Sequence, residues 1–239
     1  MITYIIIAII SYLIGSISFS VLISKRVAGF DLREKGSKNA GSTNMLRTVG
    51  KSAALITLIC DVLKGIVAIL IAFWIASIAA DLNKYLLIQI AGLFVVIGHT
   101  YPIFFKFKGG KGVATSLGVI LLMNWQIGLI CLVFALILMI LSRIVSLGSI
   151  SAAILFPVLT MFIGTNYLIP QEHAMQYLIF SILLALFVIF NHRANIKRLV
   201  NGEEKQISFK KKIREEVEEI EEDDEEEEKE DKKIKKKNK

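Results

Sequence analysis

Six long apolar runs dominate this chain, at about Ile2–Ile23, Ser52–Ala80, Tyr85–Phe105, Val113–Leu141, Ile144–Ile169 and Ala174–Phe190. A helix of about 18 or more apolar residues reaches across the hydrocarbon core of a bilayer and satisfies its own backbone polar groups there. Composition agrees: 54% of the residues are hydrophobic and mean hydropathy is +0.62. The predicted fold class is an all-α integral membrane protein. The first run has neither a basic leader nor a small-residue cleavage site, so it is expected to be a retained span and not a signal peptide.

The fourth run is nearly thirty residues long and is interrupted by Asn124-Trp125-Gln126. Tryptophan favours the membrane interface, and a split there raises the number of crossings from six to seven. Basic residues decide between the two counts. With seven transmembrane helices, the N-terminus outside and the C-terminus cytosolic, residues 24–51, 106–111, 143–149 and 192–239 share the cytosolic side. Fifteen of the seventeen Lys and Arg residues before position 210 then lie inside, as the positive-inside rule requires. The expected weak point is Val113–Met123, which makes only about 16 Å of helix. Parity also has a functional consequence, because three polar, glycine-rich loops arrive on one face and can meet.

The formal net charge of +7 is unevenly placed. Residues 1–209 carry +10, and the block from Lys210 carries −3. The expected organisation is a membrane domain over 1–208 and a charged, disordered cytosolic tail over 209–239, with no partner assigned to the tail. A basic membrane domain suits anionic headgroups or a phosphorylated substrate. Nucleic acid is excluded as a partner, since nearly all of the chain belongs in lipid. Cys60 and Cys131 sit in apolar runs and show no disulfide or metal spacing.

The loop around Gly109-Gly110-Lys111-Gly112 lies between two apolar runs. Glycines let backbone N–H groups converge on an anion, and a helix starting at Val113 would add its dipole. The alternative is a short positive loop. The first loop holds Ser37, Asn39, Gly41, Thr43 and Asn44, with Arg47 at helical reach. It is either a solvated turn or a ligand site built on an arginine fork. In the next run Asp61 and Lys64 stand three residues apart and can pair on one helix face. Intramembrane charges mark either a structural pair or a functional neighbourhood. His192 and Asn195 share one face at the end of the last run. They form either a proton-transfer and phosphate-orienting pair or a snorkelling basic helix end. His99 at a helix end reads as structural, and His173 is assigned nothing.

Three stretches in order resemble the signatures of the bacterial acyl-phosphate:glycerol-3-phosphate acyltransferases, the PlsY family. They are Gly36–Lys51 continuing to Asp61–Gly65, Gly98–Thr115, and His192–Glu204. The resemblance covers residues 1 to about 208. The family usually has Gly where this chain has Lys38, and Pro and Gly where it has Ser18 and Ser20. The resemblance implies seven spans with all motifs cytosolic, in a bacterial plasma membrane protein. It implies transfer of an acyl group from acyl phosphate to the 1-hydroxyl of sn-glycerol 3-phosphate, giving lysophosphatidic acid and phosphate, the first acylation of phospholipid synthesis. Glycerol 3-phosphate, acyl phosphate and membrane lipids are the implied partners, and no metal or other cofactor is expected. The implied catalytic residues are Ser37, Arg47, Lys111, His192 and Asn195. Asn39, Gly41, Thr43, Asn44, Gly109, Gly110, Gly112 and Thr115 are implied to bind substrate, and Asp61, Lys64 and Glu204 to hold the structure. The alternative from another class is a membrane transporter or binding protein for a phosphorylated solute. It would need access from both faces, whereas the polar residues gather on one and no inverted repeat is visible.

Overall fold

The computed structural model describes residues 1–78, 82–163 and 170–206. The charged tail expected from residue 209 lies outside the described residues. The described residues form ten α-helices and short 3-10 turns. The helices are α1 Ile2–Gly15, α2 Phe19–Ala28, α3 Ser42–Thr48, α4 Lys51–Ile78 and α5 Lys84–Thr100, followed by α6 Val113–Met123, α7 Trp125–Ser142, α8 Val145–Ile163, α9 Ala174–Asn191 and α10 Arg193–Val200. Among them six stretches are long and apolar enough to cross a membrane: Ile2–Ala28, Lys51–Ile78, Lys84–Phe105, Trp125–Ser142, Val145–Ile163 and Gln171–Asn191. The seventh expected crossing, α6, has only eleven residues. The break that separates it from α7 falls at Asn124, whose side chain accepts from Ile127 N at 3.2 Å and caps the next helix.

The first run forms two helices, broken at Ser16–Ser18. Small hydroxyl residues compete for backbone groups, and Ser16 Oγ donates to Tyr12 O at 2.8 Å. The decisive partner comes from α4. Lys64 Nζ donates to Gly15 O at 3.0 Å and Ile17 O at 2.9 Å, carbonyls released by the break. Ser18 and Ser20, the departures from the family pattern, are buried beside one another with oxygens 3.3 Å apart. The third departure, Lys38, sits at φ +59°. This left-handed conformation is open to glycine at no steric cost and costs other residues roughly 1–2 kcal/mol, so the turn survives the substitution with strain.

Glycines set the closest helix contacts. A Cβ on Gly15 would lie 2.1 Å from Val95 O, and one on Gly98 would lie 2.2 Å from Tyr12 O, so α1 and α5 touch through their backbones. The same reciprocity joins α4 to α6. There a Cβ on Gly65 would lie 2.4 Å from Thr115 O, and one on Gly118 would lie 2.1 Å from Val62 O. Such small-residue contacts replace the hydrophobic drive that lipid cannot supply between helices. The buried core runs through Ile69, Leu87, Val95, Val119, Ile127, Phe156, Tyr177 and Phe180. Large apolar side chains such as Ile9, Ile59, Trp74, Ile140, Phe162 and Leu186 remain exposed around it, the coat that a bilayer covers.

Gly98→Val is expected to destabilise the protein by at least about 1–3 kcal/mol, because it overpacks a contact that has no room for a side chain. A thermal unfolding series in detergent would show the fall in Tm.

Candidate active site

The first loop is shaped by its own polar residues. Gly41 is the N-cap of α3, a helix too short to stand alone, and Asn44 is buried beneath the loop. The Asn44 amide donates to Leu32 O, Lys35 O and Asn39 O at 3.1–3.2 Å and accepts from Ser37 N at 2.9 Å. Its polar atoms are therefore engaged in holding the loop. Arg47, three residues on, lies at the surface and donates to Lys205 O at 3.1 Å, which ties the first loop to the third.

The glycine-rich loop is built differently from the expected cradle. Gly109 N donates to Thr100 O and Gly110 N to His99 O, both at 3.1 Å. A Cβ on Gly109 would fall 2.0 Å from His99 O, and one on Gly110 would fall 2.1 Å from His99 Nε2. These two glycines let the loop fold back on the end of α5, and their N–H groups point into the protein. Gly112, at φ +89°, turns the chain into α6. Thr115 is fully buried where α6 meets Gly65 of α4.

At the third loop His192 and Asn195 are both buried. The Lys111 ammonium donates to Asn195 Oδ1. Asn195 Nδ2 donates to Glu204 Oε1 at 2.6 Å. Glu204 Oε1 also accepts from Ser146 Oγ at 2.9 Å, and Arg198 Nε meets Oε2 at 2.6 Å. Glu204 thus joins Asn195, Ser146 and Arg198. Ser146 and Arg198 are site residues that the sequence motifs did not single out. Arg143 was a signal for Ser146, since its charge places the segment 143–149 on the same face.

These groups line one cavity of about 790 Å³. Its polar end carries Ser37, Asn39, Gly41, Thr43, Asn44, Arg47, Lys111, Gly112, His192, Asn195, Arg198 and Glu204. Its other end runs between helices past Leu58, Leu117, Leu132, Leu136, Met139, Phe156 and Leu184. Gly109, Gly110, Thr115 and Lys64 do not line it, whereas Asp61 and His99 do. Asp61 and Lys64 form the expected pair at 3.0 Å, and His99 Nδ1 joins them at 3.4 Å from the same carboxylate oxygen.

Electrostatics separate the roles. Desolvation lowers Lys111 to about 8; Glu204 opposes this, while the charges of Arg198 and Arg47 add to it. Partial desolvation also lowers Arg47, an effect that Glu204 opposes. Burial works against the Glu204 carboxylate, but its contacts with Arg198, Asn195 and Ser146 outweigh burial and lower its pKa. His192 is pushed down to about 4, chiefly by desolvation and with a contribution from Lys111, against the hydrogen bond to Val188 O. That bond is 2.8 Å long. A carbonyl can only accept, so Nδ1 carries the hydrogen and Nε2 keeps its lone pair.

A lipid-coated helical bundle with cations at one end of a cavity and an apolar slot at the other is a multi-pass membrane protein built to hold an anionic amphiphile. Comparison with known proteins sharpens that class. Residues 5–202 match the family model described as glycerol-3-phosphate acyltransferase. The glycerol-3-phosphate acyltransferase of Clostridioides difficile (strain 630) is 44% identical over 209 residues, covering 87% of this chain and 98% of that protein. The protein of the same name from Thermoanaerobacter sp. (strain X514) is 41% identical over 211 residues, with 87% and 97% covered. Two crystal structures of PlsY, an integral membrane glycerol 3-phosphate acyltransferase, share the fold. The glycerol 3-phosphate form has a TM-score of 0.76 at 35% identity over 88% of this chain and 98% of that one. The lysophosphatidic acid form has a TM-score of 0.72 at 34% identity over 86% and 95%. This chain belongs to the PlsY family of glycerol-3-phosphate acyltransferases.

A lysine whose pKa is lowered to about 8 loses its charge as pH rises through that value. Affinity for glycerol 3-phosphate, measured by calorimetry across pH 6.5–9.5, is expected to fall above pH 8. In Lys111→Arg, whose guanidinium stays charged, that fall should vanish.

Proposed function

We propose that this protein moves an acyl group from acyl phosphate to the 1-hydroxyl of sn-glycerol 3-phosphate. The products are 1-acyl-glycerol 3-phosphate and inorganic phosphate. The observation that carries this reading is the two-ended cavity. Arg47 and Lys111 meet at its polar end, and the slot between helices matches the hydrocarbon chain of a donor. Family membership favours transfer chemistry over transport of a phosphorylated solute. We further propose seven crossings, with α6 as the short one, the N-terminus outside, and the polar end of the cavity on the cytosolic face of a bacterial plasma membrane. The clustering of basic residues in the loops supports that orientation. Residues 1–208 form the catalytic unit, and the tail from 209 is dispensable for chemistry.

In the proposed reaction the 1-hydroxyl oxygen attacks the carbonyl carbon of acyl phosphate. The bond from carbonyl carbon to bridging oxygen breaks, and phosphate leaves with the electron pair. Arg47 and Lys111 hold the two phosphates and meet the charge that develops on the leaving group. Ser37 and Thr43 complete the anion site from the first loop. Asn195, fixed by Glu204, holds Lys111 in register. The anhydride is already activated, so no covalent acyl-enzyme is required. The proton goes to phosphate in preference to His192. A phosphate monoester has a second pKa near about 6, whereas His192 is lowered to about 4, so the substrate's own phosphate is the stronger base. His192, its ring held by the Nδ1 hydrogen bond to Val188 O, orders the site without taking the proton.

Phosphate release from palmitoyl phosphate is expected to require glycerol 3-phosphate, and palmitoyl-CoA should not replace the donor. Arg47→Ala should lower kcat/KM by about 10²-fold or more, and His192→Ala should leave measurable turnover. If His192→Ala abolished turnover and added imidazole restored it, substrate-assisted proton transfer would be wrong.

A further inference from the structure

We propose that Arg33 and His99 are positioning residues for Lys111, gripping the glycine-rich loop at two points so that its ammonium meets Asn195. The inference rests on the reading of Lys111 as a phosphate ligand. Arg33 does not line the cavity; His99 does so beside Asp61.

The loop between α5 and α6 is held in a conformation its sequence does not favour. Lys106 and Phe107 are consecutive non-glycine residues at φ +58° and +56°. Each costs roughly 1–2 kcal/mol in this region, and such residues persist only where the surroundings over-determine them. Local bonds supply part of this, since Phe107 N donates to Pro102 O at 2.9 Å. The rest comes from outside the loop.

The first grip is Arg33. Its Nη1 donates to Phe105 O and, at 3.4 Å, to Lys108 O, which brackets the two strained residues. The guanidinium is itself fixed by a fork onto Asp31, with Nε to Oδ1 at 2.9 Å and Nη2 to Oδ2 at 2.7 Å. Asp31 in turn caps its own turn by accepting from Arg33 N at 3.1 Å. Only a planar, five-donor group can hold a carboxylate and two carbonyls together.

The second grip is His99. Its carbonyl accepts Gly110 N, and its ring lies against the Gly110 backbone so closely that no Cβ fits between them. Its Nδ1 lies 3.4 Å from the Asp61 carboxylate, which is paired with Lys64. Lys64 reaches the carbonyls of Gly15 and Ile17. The residue after Gly110 is Lys111. A shift of the loop by about 1 Å would part the ammonium from Asn195, and misplacements of that size can cost about 10²-fold in rate.

The test needs a readout that mere loss of folded protein does not move. A nitroxide label at Lys108→Cys, in a Cys60→Ala, Cys131→Ala background, reports loop motion without any substrate. It therefore reads the grip independently of the donor assigned above. Arg33→Met and His99→Phe are expected to raise label mobility and to cut kcat/KM for glycerol 3-phosphate by about 10–10²-fold. They should also move the alkaline limb near pH 8 upward, as Lys111 leaves the desolvated cluster of Asn195, Glu204, Arg198 and Arg47. Arg33→Lys should recover part of the loss. His99→Asn, which can keep a donor near the Nδ1 position, should recover more than His99→Gln. If His99→Phe does not fold, the two Arg33 variants decide the question. An unchanged label spectrum and an unmoved limb in Arg33→Met would overturn the proposal, whatever happened to the rate.

Discussion

The ammonium of Lys64 is the contact on which most of this architecture depends. It is buried in α4, where an unpaired charge would be strongly destabilising. Its compensation comes from two directions at once: the Asp61 carboxylate on its own helix, and the carbonyls of Gly15 and Ile17 where the first run breaks. Breaking a helix away from water exposes acceptors that need partners. A lysine with three donors fills that need. One side chain therefore allows α1 to stop, turns α2 toward the first loop, and joins both to α4. Asp61, steadied in this way, is left to face His99 and the cavity.

From that frame the chemistry at the polar end is mainly a matter of dehydration and charge balance. Three cations, Arg47, Lys111 and Arg198, gather near one carboxylate, Glu204. Desolvation, with a smaller contribution from neighbouring cations, lowers the pKa of Lys111 and keeps His192 neutral. A second anion brought among these groups would relieve repulsion within the cluster. The arrangement thus favours anions through its own electrostatic imbalance, with few direct contacts needed.

Much of this was legible in the sequence, and the exceptions share a cause. The apolar runs located the long helices. The interfacial Trp125 marked the break before α7; the cap by Asn124 became visible only in the structure. Asp61 and Lys64 were readable as a pair because i and i+3 are neighbours on any helix. The structural role of Glu204 was implied by the family resemblance and not by its sequence neighbours. What failed depended on partners distant in the chain. The break at Ser16–Ser18 needs Lys64, 49 residues away from Gly15. Gly109 and Gly110 looked like a phosphate cradle because glycine permits close approach without saying to what, and here the neighbour is His99. Thr115 lay inside a motif but faces α4. Ser146 stood outside every motif.

Asn195 shows how tightly such a cluster binds its own future. Its amide is read from both ends: the oxygen meets a cation on Lys111 and the nitrogen meets an anion on Glu204. A carboxylate at this position would satisfy the first neighbour and repel the second; an ammonium would do the reverse. Drift at any one of the three positions is therefore penalised until another changes with it. The triplet is expected to evolve as a block, with substitutions arriving in concert or not at all.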